Sequence, residues 1–159
     1  MRAKKTFFLS DSEKMAEENI TSEKITFDTE IIKCMALFEN ITHSQLKDCF
    51  FDREKLVFLV DQGEMGKALG KNKTNIMRIE KLLNRKIKIV EFEPERMKFI
   101  TNYLAPLKII DIREEGDVVT ITGSDTKTKG LIIGIKAQNL RNLEKIAGKY
   151  FTIKEIKVI

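Results

Sequence analysis

One segment of this chain occurs twice. GKALGKNKTNIMRIEKLL, residues 66–83, lies over GLIIGIKAQNLRNLEKIA, residues 130–147, without a gap. Gly66 meets Gly130, Gly70 meets Gly134, Asn75 meets Asn139, and Glu80-Lys81 meets Glu144-Lys145. The apolar positions agree as well, Leu69 with Ile133, Ile76 with Leu140, Ile79 with Leu143 and Leu82 with Ile146. Both copies therefore keep the spacing that lines one face of a helix, which a chance match of glycines has no reason to do.

The flanks of the two copies also correspond. LKDCFF and EKLVFLV, around Asp52-Arg53, predict two strands and a turn before the first copy. LKIIDIR and DVVTITG, with a turn at Glu114-Glu115-Gly116, do so before the second. After the repeats, KIKIVEF and TIKEIKVI alternate apolar and polar residues as half-buried strands do. Upstream of each hairpin a helix is expected: residues 29–41, with Asp28 as N-cap, and residues 94–105, opening on Pro94 and ending before Pro106. Each half thus reads α-β-β-α-α-β, an α/β (α+β) fold. Domain limits of 25–92 and 93–159 follow, with no Gly/Ser hinge between them. Units of roughly 60–70 residues have marginal cores alone, so the two are expected to pack rigidly together. Residues 1–24 show little periodicity and are expected to be a mobile extension or a peripheral helix.

Charge is distributed unevenly. The chain carries a net +5. Its first 24 residues are balanced, but between 66 and 88 eight Lys or Arg stand against Glu80 alone, and between 127 and 149 six stand against Glu144. The two repeats hold the excess, which points to a polyanionic partner.

A glycine-rich turn followed by a fresh helix start offers unpaired N–H groups and a positive dipole end to an anion. A nucleotide-binding P-loop is excluded as the explanation: three residues rather than four separate Gly66 from Gly70, and Asn72 stands where a Ser or Thr would meet Mg²⁺. Cys34, Cys49 and His43 form no metal-ligand spacing, so no metal or cofactor is expected; the cysteines read as small core residues and His43 as a helix-terminal one. No nucleophile, base and orienting group can be assembled, so an enzyme is not expected. Phe50, Phe51, Phe58 and Phe92 read as core. Gly66 and Gly130 read as sites of close helix packing, and Lys81 and Lys145 as solvated partners of nearby carboxylates. No apolar run reaches the ~20 residues of a membrane span, and a cytoplasmic monomer is the default expectation.

Four stretches carry a resemblance to a known family: ITFDTEIIKCMALFENIT (25–42), EMGKALGKNKTNI (64–76), NYLAPLKI (102–109) and KGLIIGIKAQNLRNLEKI (129–146). Together they make residues 25–159 similar to the archaeal NusA-like transcription factors, short proteins of two tandem type II KH domains. In KH domains a GXXG turn clamps about four nucleotides of a single strand by their backbone, beside an apolar groove for bases. The resemblance implies RNA contacts at Gly70, Lys71, Asn72 and Lys73, and at Gly134, Ile135, Lys136 and Ala137. Lys73 and Ala137 replace the second glycine; Lys73 keeps the turn if its φ is negative. With Ile135 and Ala137 in the second turn, the first is expected to bind RNA better. The implied function is control of transcription elongation or termination by contact with nascent RNA near RNA polymerase. Two other readings stand beside it: a scaffold that has lost RNA binding and contacts polymerase or another protein, and a ribosome-associated KH protein.

Overall fold

The computed structural model describes residues 28–159; the expected extension, 1–24, lies outside the described residues. Helix α1 covers residues 28–42. Then follow β1 (Leu46–Asp52), β2 (Lys55–Val60), α2 (Met65–Leu69), a 3₁₀ turn (Lys71–Lys73), α3 (Thr74–Leu83) and β3 (Ile87–Glu91). The order repeats as α4 (Arg96–Leu104), β4 (Ile109–Glu115), β5 (Val118–Gly123), α5 (Thr126–Ile133), a 3₁₀ turn (Ile135–Ala137), α6 (Gln138–Ala147) and β6 (Glu155–Val158). The expected element order is present in both halves. Asp28 is already helical rather than an N-cap, and α4 starts after Pro94, with Glu95 as its N-cap. Glu114 and Glu115 belong to β4, leaving Gly116-Asp117 as the turn, because Gly116 alone there adopts a left-handed φ, 59°.

Each half builds a three-stranded mixed sheet. β1 runs antiparallel to β2, and β2 runs parallel to β3; β4, β5 and β6 repeat this order. Even the irregularity is duplicated, with a register shift between Leu46 and Asp48 in β1 and between Ile109 and Asp111 in β4. The first hairpin also turns on two residues, Arg53-Glu54, and Arg53 takes the same φ of 59° without being glycine.

The two sheets differ in how many faces they bury. Along β2 the residues from Leu56 to Val60 are all buried, whereas β5 alternates buried Val119, Ile121 and Gly123 with half-buried neighbours. Leu56, Phe58 and Val60 join Phe38 of α1 and Ile79 of α3 in one apolar cluster. Val57 and Leu59, on the other face, join Phe99, Ile100 and Tyr103 of α4 and Val119, Ile121 and Ile156 of the second sheet. A strand covered on both faces has no polar side to show, which accounts for the unbroken apolar run LVFLV. The four phenylalanines expected in the core pack there: Phe50 and Phe58 are buried, Phe51 and Phe92 partly so. Cys34 and Cys49 are buried and unpaired, as small core residues. His43 follows α1 with φ 55° and donates its N–H to the Glu39 carbonyl at 2.9 Å, a left-handed helix terminus.

Polar side chains connect the two halves at the rim of the shared cluster. Tyr103 and Asn142 both donate to the Asp52 carboxylate, and Tyr150 donates to Asp48. Lys88 donates to the Tyr103 carbonyl and lies over the Tyr103 ring at 4.4 Å. Burial, and then the hydrogen bond to its aspartate, pushes each tyrosine hydroxyl well above the usual phenol range. Burial, then the neighbouring Cys34 and Asp48, pushes the Cys49 thiol up to about 12. A group whose folded pKa is raised gives stability that is complete below its unfolded pKa and is lost as pH rises toward the folded one. Lys88 opposes this, since burial lowers its pKa and its penalty fades as pH rises. Four raised groups, the Cys34 thiol being pushed up by burial as well, outweigh that one, so the urea midpoint is expected to hold up to about pH 8.5 and to fall between roughly pH 9 and 11. A midpoint that rose across this window would contradict the assignment.

Candidate nucleic-acid interface

The two turns have the same backbone. Gly70 and Gly134 take φ/ψ of 68°/179° and 75°/176°, a region that only glycine enters readily. Asn72 and Lys136 follow at 56°/31° and 54°/32°, and Lys73 and Ala137 at 57°/27° and 59°/25°. Both non-glycine replacements are thus left-handed. The turn does not depend on a negative φ at Lys73; it forms with the positive one that a glycine would adopt without strain.

What holds the turn is an asparagine. Asn75 donates its side-chain N–H to the Lys67 carbonyl at 3.1 Å, and Asn139 donates to the Leu131 carbonyl at 2.8 Å. Each amide tethers the start of one helix to the end of the preceding one and passes directly over the glycine. A Cβ at Gly70 would stand 2.7 Å from Asn75 Nδ2, and one at Gly134 would stand 2.6 Å from the Asn139 side chain. The sequence aligned these asparagines but showed no reason for them; their matching place after each glycine was the available signal. Gly66 and Gly130, by contrast, do not mediate close packing. Both are exposed, and a Cβ on either would meet nothing within 4 Å.

A left-handed residue that is not glycine costs about 1 kcal/mol. Ala137→Gly should therefore raise the melting temperature by roughly 1–4 °C, the relief being offset in part by glycine's larger unfolded-state entropy. A calorimetric scan of the variant checks this, and a lower melting temperature would mean that the turn is not strained.

Lys71, Asn72 and Lys73 are exposed, and in the second turn Ile135 is 83% exposed beside exposed Lys136 and half-buried Ala137. Neither α3 nor α6 has a side-chain cap, and the first N–H of each, at Thr74 and Gln138, is taken by the Lys71 and Ile135 carbonyls of the turn. Among the described residues Lys71, Lys73 and Lys136 have no ion-pair partner. Lys81 and Lys145 are exposed too, but among the described residues they pair with no carboxylate: Glu80 is met by Lys86 at 4.0 Å and Glu144 by Arg141 at 3.9 Å. The structure thus brings all eight expected residues into two equivalent, uncapped turns, cationic in the first and partly apolar in the second. No group of three His, Cys, Asp or Glu among the described residues could hold a metal ion. No helix among them is long and apolar enough to cross a membrane.

No family model matches the chain. A protein of Methanocaldococcus jannaschii, the probable transcription termination protein NusA, is 32% identical over 139 residues, which cover 86% of this chain and 76% of that protein. The chain belongs to the archaeal NusA-like family. The protein of the same name from Methanococcus vannielii is also 32% identical over 139 residues, covering 86% of this NusA-like chain and 80% of the relative. A crystal structure of a protein designated APE1850 matches with a TM-score of 0.62 at 25% identity, over 82% of this chain and 99% of the other. The NusA-like chain therefore has a mixed α/β architecture with two small three-stranded sheets, compatible with KH-like units.

Proposed function

We propose that this chain is a non-enzymatic transcription factor built of two tandem type II KH domains, 25–92 and 93–159, packed rigidly against each other. It binds single-stranded nascent RNA close to RNA polymerase and so affects elongation or termination, as a cytoplasmic monomer without a cofactor. RNA backbone contacts fall at Gly70 to Lys73 and at Gly134 to Ala137, the first turn binding more strongly through Lys71 and Lys73.

The observation that carries this reading is the identity of the two turns in backbone angles and asparagine tether, each opening on an uncapped helix start. A peptide geometry built twice, with left-handed strain retained in both copies, suits close approach to a phosphate backbone. The relatives' name, transcription termination protein, supports the setting.

Titration with a single-stranded RNA oligomer tests it. Single-stranded RNA should bind better than the duplex of the same sequence, and log K should fall with log salt at a slope of about −3 if four phosphates are engaged. Salt-independent binding or a preference for duplex would count against the reading. Retention of polymerase after nuclease treatment, with no affinity for RNA, would support a scaffold instead, for which the exposed Ile135 is the favouring observation.

A further inference from the structure

Between the two halves lies a cleft of about 850 Å³ that the glycine turns do not account for. Its walls differ in character. One, from the second half, is mostly apolar: Leu131 and Ile132 on the last turn of α5, Leu104 at the end of α4, and Pro106 and Leu107 after it, with Asn139 and Asn142 of α6 beside them. The other comes from the first half and is cationic, with Arg53 and Lys55 at the β1–β2 turn, Arg85 and Lys86 between α3 and β3, and Lys88 in β3. Asp52 and Glu54 are the carboxylates of the lining. Both oxygens of Asp52 are already engaged, by Tyr103 and Asn142, and Glu54 is exposed. Two cations are also committed: Arg85 pairs with Glu30 at 3.1 Å, and Lys88 donates to the Tyr103 carbonyl. Arg53, Lys55 and Lys86 remain exposed; of these only Lys86 has an ion pair among the described residues, a long one to Glu80.

The cleft begins beside the second turn. Leu131 accepts the hydrogen bond from Asn139 that fixes that turn, and both residues line the cleft. An independent observation singles out Arg53. Its φ of 59° matches that of Gly116 at the corresponding turn of the second half, where glycine adopts this angle without strain. The first half keeps a long cation in the same strained position, at the mouth of the cleft.

We propose that the second half's grip on RNA is completed by the first: the nucleotide next to the second turn seats its base against the exposed Leu131 and Pro106, while Arg53 and Lys86 hold its phosphate. This rests on the reading of the second turn as an RNA site. It supplies the charge that Ile135 and Ala137 leave out of that turn. The base meets apolar side chains and the anion meets cations, which is the division of chemistry a nucleotide requires.

Arg53→Gly gives the test an internal control, since it removes the cation and the backbone strain together. Combined with Lys86→Ser, it should weaken binding of a twelve-nucleotide single-stranded oligouridylate about five- to tenfold near 0.1 M salt and reduce the salt slope by about 0.7, the equivalent of the one phosphate they share. The melting temperature of Arg53→Gly should not fall, which separates lost contact from lost fold. Unchanged affinity and slope in the double variant overturn the proposal. If Lys71→Glu with Lys73→Glu still weakens the same oligomer, the RNA reading survives that failure. If the wild-type protein does not bind the oligomer at all, both fall.

Discussion

Gly134→Ala should lower the melting temperature by roughly 6–12 °C, whereas Gly130→Ala, one helical turn earlier, should leave it unchanged or raise it slightly. At Gly134 the backbone stands at φ 75° and ψ 176°, where an L side chain costs about 1–3 kcal/mol. The added methyl would also meet the Asn139 side chain at 2.6 Å and drive it off the Leu131 carbonyl, a further loss of about 1 kcal/mol. The sum is about 3 kcal/mol, and a chain of this size loses roughly 2–4 °C for each. Gly130 lies within α5 with open space around it, so alanine there gains helix propensity and displaces nothing. Paired thermal melts decide the matter. Equal shifts in the two variants would show that the turn is not held by its asparagine.

The largest functional effect is expected from Lys71→Glu combined with Lys73→Glu, which should weaken single-stranded RNA about a hundredfold near 0.1 M salt. Both lysines are exposed on the first turn, and among the described residues neither has an ion-pair partner, so nothing in the fold depends on their charge. Removing two cations shortens the salt slope by about 1.4, and reversing them adds repulsion. Lys136→Glu, alone in its turn, should cost about tenfold or less. Fluorescence anisotropy across a salt series reads both quantities, and equal damage from the two turns would refute the ranking.

Much of the architecture was legible because it is local and occurs twice. The periods of helix and strand, the paired glycines and the matching flanks all act over a few residues, and a second copy filters out coincidence. The positive φ at Lys73 and Ala137 was not legible. A lysine or alanine carries no preference for that conformation, and here the Asn75 and Asn139 tethers and the flanking helices impose it. Gly66 and Gly130 were misread for a related reason: a glycine in a helix announces missing bulk, but not whether the space beside it is filled or empty. The pairing of Asp48 with Tyr150 and Asp52 with Asn142 joins residues separated by 102 and 90 positions, beyond any local pattern. The double burial of β2 was present in the sequence as the run LVFLV, in contrast to VVTITG, although the two strands occupy equivalent places.

That contrast governs how this protein can be dissected. Cutting the chain after residue 92 would strip one face of β2 and β3, leaving Val57, Leu59 and Val90 in water without α4 and the second sheet to cover them. Such a fragment would seek any apolar surface, its own copies included, and its affinity for RNA would report on that exposure as much as on the glycine turn. Contacts of either turn are therefore better assigned by single substitutions in the whole chain than by isolated halves.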